Sequence, residues 1–156
     1  MKVDVGHTAP DFTLYDSEKI KVTLSELKGQ NVLLLFFPLA FTGTCTKELC
    51  SVRDNISLYN DAKAIVLGIS VDSLHTLAKY KAEQNLNFTL LSDFNKEVSA
   101  TYGSLYEKFG YNMKGVSKRS AFVIDKTGTI QYAQVLENAS ELPNFESINQ
   151  ILSNLN

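Results

Sequence analysis

Two nearly unbroken apolar runs, Asn31 to Phe37 (NVLLLFF) and Ala64 to Val71 (AIVLGISV), dominate the hydropathy pattern of the chain. Runs without polar alternation predict strands covered on both faces, as in the centre of a parallel sheet. Between them Leu49, Val52, Ile56 and Tyr59 recur at i, i+3, i+7 and i+10, which predicts a helix packed on that sheet and a β-α-β crossover. Asp72-Ser73 can cap a further helix reaching about Gln84. Phe88 to Leu91 reads as a short strand ended by Ser92-Asp93, and a helix follows around Lys96 to Tyr102.

Ser120 to Ile124 and Thr129 to Val135 are β-rich and separated by Asp125-Lys126-Thr127-Gly128, whose Asp and Gly favour a turn, so they predict an antiparallel hairpin. Ile148, Ile151, Leu152 and Leu155 outline one face of a C-terminal helix. Upstream, Asp11 to Tyr15 and Ile20 to Leu24 read as edge strands, and Leu24 to Gly29 as a helical turn closed by Gly29. The expectation is an α/β fold, a central mixed sheet flanked by helices, with an N-terminal extension. No linker, repeat or low-complexity tract interrupts it, so residues 1–156 are expected to form one domain.

A chain of 156 residues, 44% hydrophobic and 21% charged, can bury a core without disulfide staples or a structural metal. Its two cysteines are therefore surplus to folding. Fifteen Lys and Arg against 17 Asp and Glu leave a formal charge of −2, without the basic excess that binding nucleic acid demands. The longest apolar run, Val32 to Phe41, is about half a membrane span and contains Pro38, which argues against a membrane partner. The start, Met1 to His7, carries Asp4 where an export signal would turn apolar, so a cytoplasmic protein is expected, with thiols that are oxidised transiently at most. Three Asn-x-Ser/Thr matches, at Asn55, Asn87 and Asn138, are then chance.

The segment Pro38-Leu39-Ala40-Phe41-Thr42-Gly43-Thr44-Cys45 joins the first central strand to the next helix, where open α/β sheets place ligand sites. If Thr44 caps that helix, Cys45 lies in its first turn, where free N–H groups and the macrodipole favour an anion. An unassisted thiol is only a few per cent ionised at neutral pH, and lowering its pKa by two units takes roughly 2.7 kcal/mol. A helix end supplies roughly 0.3–1 kcal/mol, so a hydroxyl and a guanidinium are wanted as well. Thr42 offers the hydroxyl. Of the two arginines, Arg119 precedes the hairpin strand that should lie beside the central strands, whereas Arg53, eight residues beyond Cys45, reads as a partner for a surface carboxylate. Taken singly, Cys45 could be an inert core thiol, Pro38 a strand stop and Arg119 a solvated charge.

Together, Pro38-x-x-x-Thr42-x-x-Cys45 and an arginine before a β-hairpin resemble the active-site signature of the peroxiredoxins, of the alkyl hydroperoxide reductase and thiol-specific antioxidant type. The resemblance extends to Ala9 to Leu14, Gly68 to Ser73 and Lys118 to Asp125, almost the whole chain. It implies a thioredoxin-like fold and a cofactor-free thiol peroxidase. In this reading Cys45 attacks a hydroperoxide, Thr42 and Arg119 hold the peroxide oxygens, Pro38 shields the sulfur and Glu48 orients an arginine. Glu48 is also simply a good helix former in a first turn.

Cys50 follows Cys45 by five, the spacing of the peroxiredoxin Q, or bacterioferritin comigratory protein, group, in which it resolves the sulfenic acid as an internal disulfide. In one continuous helix five residues advance about 7.5 Å and turn about 500°, beyond the usual disulfide reach of about 6.8 Å, so the helix would have to unwind. The apolar loop Phe37 to Gly43 is instead similar to the alkyl hydroperoxide reductase E group, which often works with one cysteine, leaving Cys50 structural. Hydrogen peroxide and alkyl hydroperoxides rank together as substrates, thioredoxin or a similar dithiol protein is the implied reductant, and monomer or homodimer stays open. Other chemistries fit less well. Cys45, Cys50, His7 and His75 lack zinc-ligand spacing, Cys-x-x-Cys and the phosphate loop are absent, and neither histidine is placed to serve a cysteine hydrolase. A redoxin-fold protein that only binds partners is the remaining rival, and it predicts an unreactive Cys45.

Overall fold

The computed structural model describes residues 3–155. In chain order the strands and helices are β1 (Thr13–Asp16), β2 (Lys21–Thr23), β3 (Asn31–Phe36), α1 (Gly43–Asp54), α2 (Ile56–Asp61), β4 (Ala64–Ser70), α3 (Leu74–Gln84) and β5 (Thr89–Ser92). There follow α4 (Glu97–Thr101), β6 (Leu105–Tyr106), β7 (Val116–Ser117), β8 (Ser120–Ile124), β9 (Ile130–Val135) and α5 (Phe145–Asn154). A seven-stranded sheet has the order β2-β1-β5-β4-β3-β8-β9. Its centre, β3 with β4 and β4 with β5, is parallel, while β1, β2, β8 and β9 pair antiparallel, so the sheet is mixed as expected.

The unbroken apolar runs have a direct cause. Alternate residues of β3 point to opposite faces: Leu33 and Leu35 join a core with α1, α3 and α5, and Val32, Leu34 and Phe36 join a second core with Phe12, Val98 and Tyr102. In β8, Ala121 and Val123 face the first core and Phe122 and Ile124 the second. At Gly68 in β4 a Cβ would stand 2.8 Å from the Leu90 side chain, so a larger residue there would have to displace that leucine in the core. The N-terminal segment is fastened to the hairpin by Gly6 N–H to Ile130 O, Ile130 N–H to His7 O and Ala9 N–H to Gly128 O.

Two expectations need correction. The helix read through Leu49, Val52, Ile56 and Tyr59 is two helices, broken at Asn55, whose side-chain amide donates to Ser51 O at 2.8 Å and competes with the helical ladder. The cap is Thr42, not Thr44: Thr42 has extended dihedrals and its carbonyl accepts the first helical bond, from Thr46 N–H. The two-residue strands β6 and β7 form a small second sheet with no counterpart in the hydropathy pattern. Among the described residues no helix is long and apolar enough to cross a membrane.

Candidate active site

The end of β3 and the start of α1 are joined by a loop held at several points. Ala40 N–H donates to Asp72 Oδ2 at 2.8 Å, and the same oxygen accepts the Ser70 hydroxyl at 2.7 Å. Phe41 takes a φ of 65°, in the left-handed region, with its half-exposed ring 5.0 Å from that of Tyr80. Thr42 Oγ1 donates to Leu39 O at 2.7 Å rather than capping the helix, so its lone pairs are left for other donors. Cys45 is the third residue of α1, among N–H groups that have no partner within the helix.

Arg119 arrives from the start of β8, which pairs antiparallel with β3 and so brings residue 119 beside the end of that strand. Its side chain is buried and each of its nitrogens is used. Nη2 donates to Cys45 Sγ at 3.3 Å, Nη1 to Glu48 Oε1 at 2.8 Å, and Nε to Ala139 O at 3.0 Å. Glu48, one turn after Cys45, is fully buried, and its Oε2 has no hydrogen-bond partner. Burial pushes the Glu48 carboxyl up to about 7, the nearby guanidinium offsetting this only in part.

Cys45 is 1% exposed, so its sulfur is recessed rather than set at an open mouth. It lines a cavity of about 230 Å³ together with Pro38, Thr42 and Arg119, and with Phe109, Ala139 and Ser140 from later loops. The structure thus brings Pro38, Thr42, Cys45 and Arg119 around one space and sets Glu48 behind Arg119. Cys50 is elsewhere: half-buried in the same continuous helix, it donates its S–H to Gln84 Oε1 at 3.5 Å. Both cysteines are free thiols. Arg53 pairs with Asp54 at 2.9 Å and donates to Gln84 O at 2.6 Å. His7 and His75 are exposed and do not line the cavity.

Sequence reasoning missed Asp72, Phe109, Ala139 and Ser140. The signal for Asp72 was present in the segment Gly68 to Ser73, whose place in the resemblance had no role attached. Ala139 and Ser140 lay inside a match dismissed as chance, and a backbone carbonyl that holds an arginine leaves no trace in residue identity.

A family model, the AhpC/TSA family, matches residues 5–133. The chain is 43% identical over 132 residues to the peroxiredoxin bcp of Coxiella burnetii, covering 83% of this chain and 87% of that one. It is 40% identical over 136 residues to alkyl hydroperoxide reductase E of Mycobacterium tuberculosis, covering 85% and 86%. Among solved structures, Peroxidoxin BcpB from Mycobacterium tuberculosis superposes with a TM-score of 0.86 at 28% identity, covering 99% of both chains.

Proposed function

The chain belongs to the AhpC/TSA family and is a thiol peroxidase, and from that premise we propose that Cys45 is the sulfur that attacks the hydroperoxide. One observation carries the reading: a buried guanidinium nitrogen lies 3.3 Å from Cys45 Sγ beside a cavity that Thr42 and Pro38 also line. As the sulfur attacks one peroxide oxygen, the O–O bond breaks and the other oxygen gains negative charge. Arg119, fixed by Glu48 and Ala139, stabilises that transition state without having to reorganise. Thr42 Oγ1, its own proton committed to Leu39 O, accepts the O–H of the hydroperoxide. Pro38, buried beside the sulfur, limits water at the reacting atoms. Water or an alcohol leaves and Cys45 becomes a sulfenic acid.

The cavity, about 230 Å³, takes hydrogen peroxide and leaves room for an alkyl substituent, so both substrate classes are included. Cys50 then condenses with the sulfenic acid. Thioredoxin or a similar dithiol protein, in a reducing compartment such as the cytoplasm, returns both thiols.

Intact mass and thiol count after one equivalent of peroxide test this directly. The wild type should lose two hydrogens and both thiols, and Cys50→Ser should gain one oxygen. A wild-type product that gains one oxygen would instead identify a one-cysteine enzyme with Cys50 structural. Peroxide left unconsumed by both proteins would remove Cys45 from the role.

A further inference from the structure

Helix α1 carries two faces. Cys45 and Glu48 point to Arg119, whereas Thr46, Cys50 and Arg53, spaced i, i+4 and i+7, all bond to the neighbouring helix α3 or its end. Thr46 Oγ1 lies 2.9 Å from the hydroxyl of Tyr80, Cys50 Sγ donates to Gln84 Oε1 at 3.5 Å, and Arg53 Nη1 donates to Gln84 O at 2.6 Å. Asn87 closes the seam by donating to Arg53 O at 3.2 Å. Residues five apart on a helix face directions about 140° apart, with Cα atoms roughly 8.7 Å from one another, and a disulfide spans at most about 6.8 Å. Cys50 therefore reaches Cys45 only when this part of α1 unwinds, and unwinding breaks the seam.

We propose that Tyr80 and Gln84 of α3 form a latch on α1 that sets the rate at which Cys50 reaches oxidised Cys45. The latch thereby sets how long the sulfenic acid stays open to a second peroxide or to an outside thiol. This rests on the reading of Cys50 as the resolving thiol. In the step it controls, the S–O bond of the Cys45 sulfenic acid breaks and an S–S bond to Cys50 forms. The proton of the Cys50 thiol leaves with the hydroxyl as water. In the competing step a second hydroperoxide gives up an oxygen to the sulfenic acid, yielding sulfinic acid and an alcohol.

Tyr80 is the stronger half of the latch because it is fully buried and its hydroxyl is bonded to Thr46 Oγ1. Burial pushes the Tyr80 phenol up to about 12, so it stays neutral while bonded. Once α1 unwinds, that hydroxyl is stranded in the interior, which holds the equilibrium toward the wound helix. Neither Tyr80 nor Thr46 lines the cavity at Cys45. The latch acts on the second step and leaves the first alone.

The test separates the two steps in full-length protein by rapid quenching, thiol alkylation and intact mass, for wild type, Tyr80→Phe, Thr46→Val and the double variant. Tyr80→Phe keeps the ring packing against Phe37 and Phe41, and Thr46→Val provides the same loss from the other side. Each single variant should form the disulfide roughly two- to tenfold faster, the worth of one neutral hydrogen bond. Sulfenic acid formation should be unchanged. The double variant should be no faster than either single, because both remove the same bond. Disulfide formation at the wild-type rate or slower, or additive effects in the double variant, would overturn the latch while leaving Cys50 as the resolving thiol. A wild-type product heavier by one oxygen would overturn the role of Cys50, and the latch with it.

Discussion

Arg119 divides its nitrogens among a sulfur, a carboxyl and a backbone carbonyl, and this division makes it irreplaceable by lysine. A lysine ammonium offers a single point of charge and cannot hold Cys45, Glu48 and Ala139 in one plane. Arg119→Lys should slow the peroxide step by about 100-fold or more, the cost of losing a preset donor, as measured by stopped-flow consumption of peroxide. Glu48 makes a different prediction. Its carboxyl is held at about 7, above the ordinary 4.5, chiefly by burial, and Oε2, the oxygen without a partner, is the one free to take the proton. A folded-state pKa raised in this way means that the folded chain keeps a proton which the unfolded chain has released. The associated stability is complete below about pH 4.5 and is lost as pH rises through about 7. Between about pH 5 and 8 the Tm of the wild type should fall more steeply than that of Glu48→Gln. Equal slopes would mean that the carboxyl is ionised throughout that window.

At the scale of the elements, the loop between β3 and α1 and the N-terminal turns of α1 act as one piece, tied to the end of β4 by Asp72. Asp72→Ala removes the acceptor for Ala40 N–H and should lower kcat/KM about tenfold, the worth of one charge-assisted hydrogen bond, with only a small change in Tm. Asp72→Asn, which keeps an acceptor oxygen, should recover most of that loss, and an Ala variant as active as the wild type would show that the loop holds its shape without the anchor. The long apolar strands β3 and β4 were legible because burial on both faces leaves an unmistakable pattern. The break at Asn55 was not. The apolar spacing runs straight through it, since Tyr59 returns to the same core as Leu49 and Val52, while only the backbone at Asn55 leaves the helical dihedrals. The start of α1 was displaced for a similar reason: Thr42 and Thr44 are equally good cap residues by type, and only the extended backbone of Thr42, whose carbonyl accepts from Thr46 N–H, separates them.

Across the whole molecule, the N-terminal segment is stitched to both the hairpin and the second core. Tyr102, buried between Phe12, Phe36 and Phe122, donates its hydroxyl to Pro10 O at 2.5 Å. Tyr102→Phe leaves that buried carbonyl without its donor and should cost about 1–3 kcal/mol in urea unfolding, with peroxide consumption per folded molecule unchanged. An unaltered stability would mean that the segment is held by its backbone bonds alone. Pro38, Thr42, Cys45 and Arg119 were legible as a set because their residue types and order carry chemistry. The walls supplied by Phe109, Ala139 and Ser140 were not, because they come from irregular loops without periodicity, positioned by the small β6–β7 sheet and by bonds such as Leu136 N–H to Arg119 O. The span from Cys45 to its guanidinium partner is 74 residues, bridged when β8 settles against β3. A ribosome adding about 5–20 residues each second takes roughly 4–15 s to cover that distance. During that interval the nascent protein carries a sulfhydryl without the guanidinium that completes its setting, and the pair is assembled only once β8 has been made and has docked on β3.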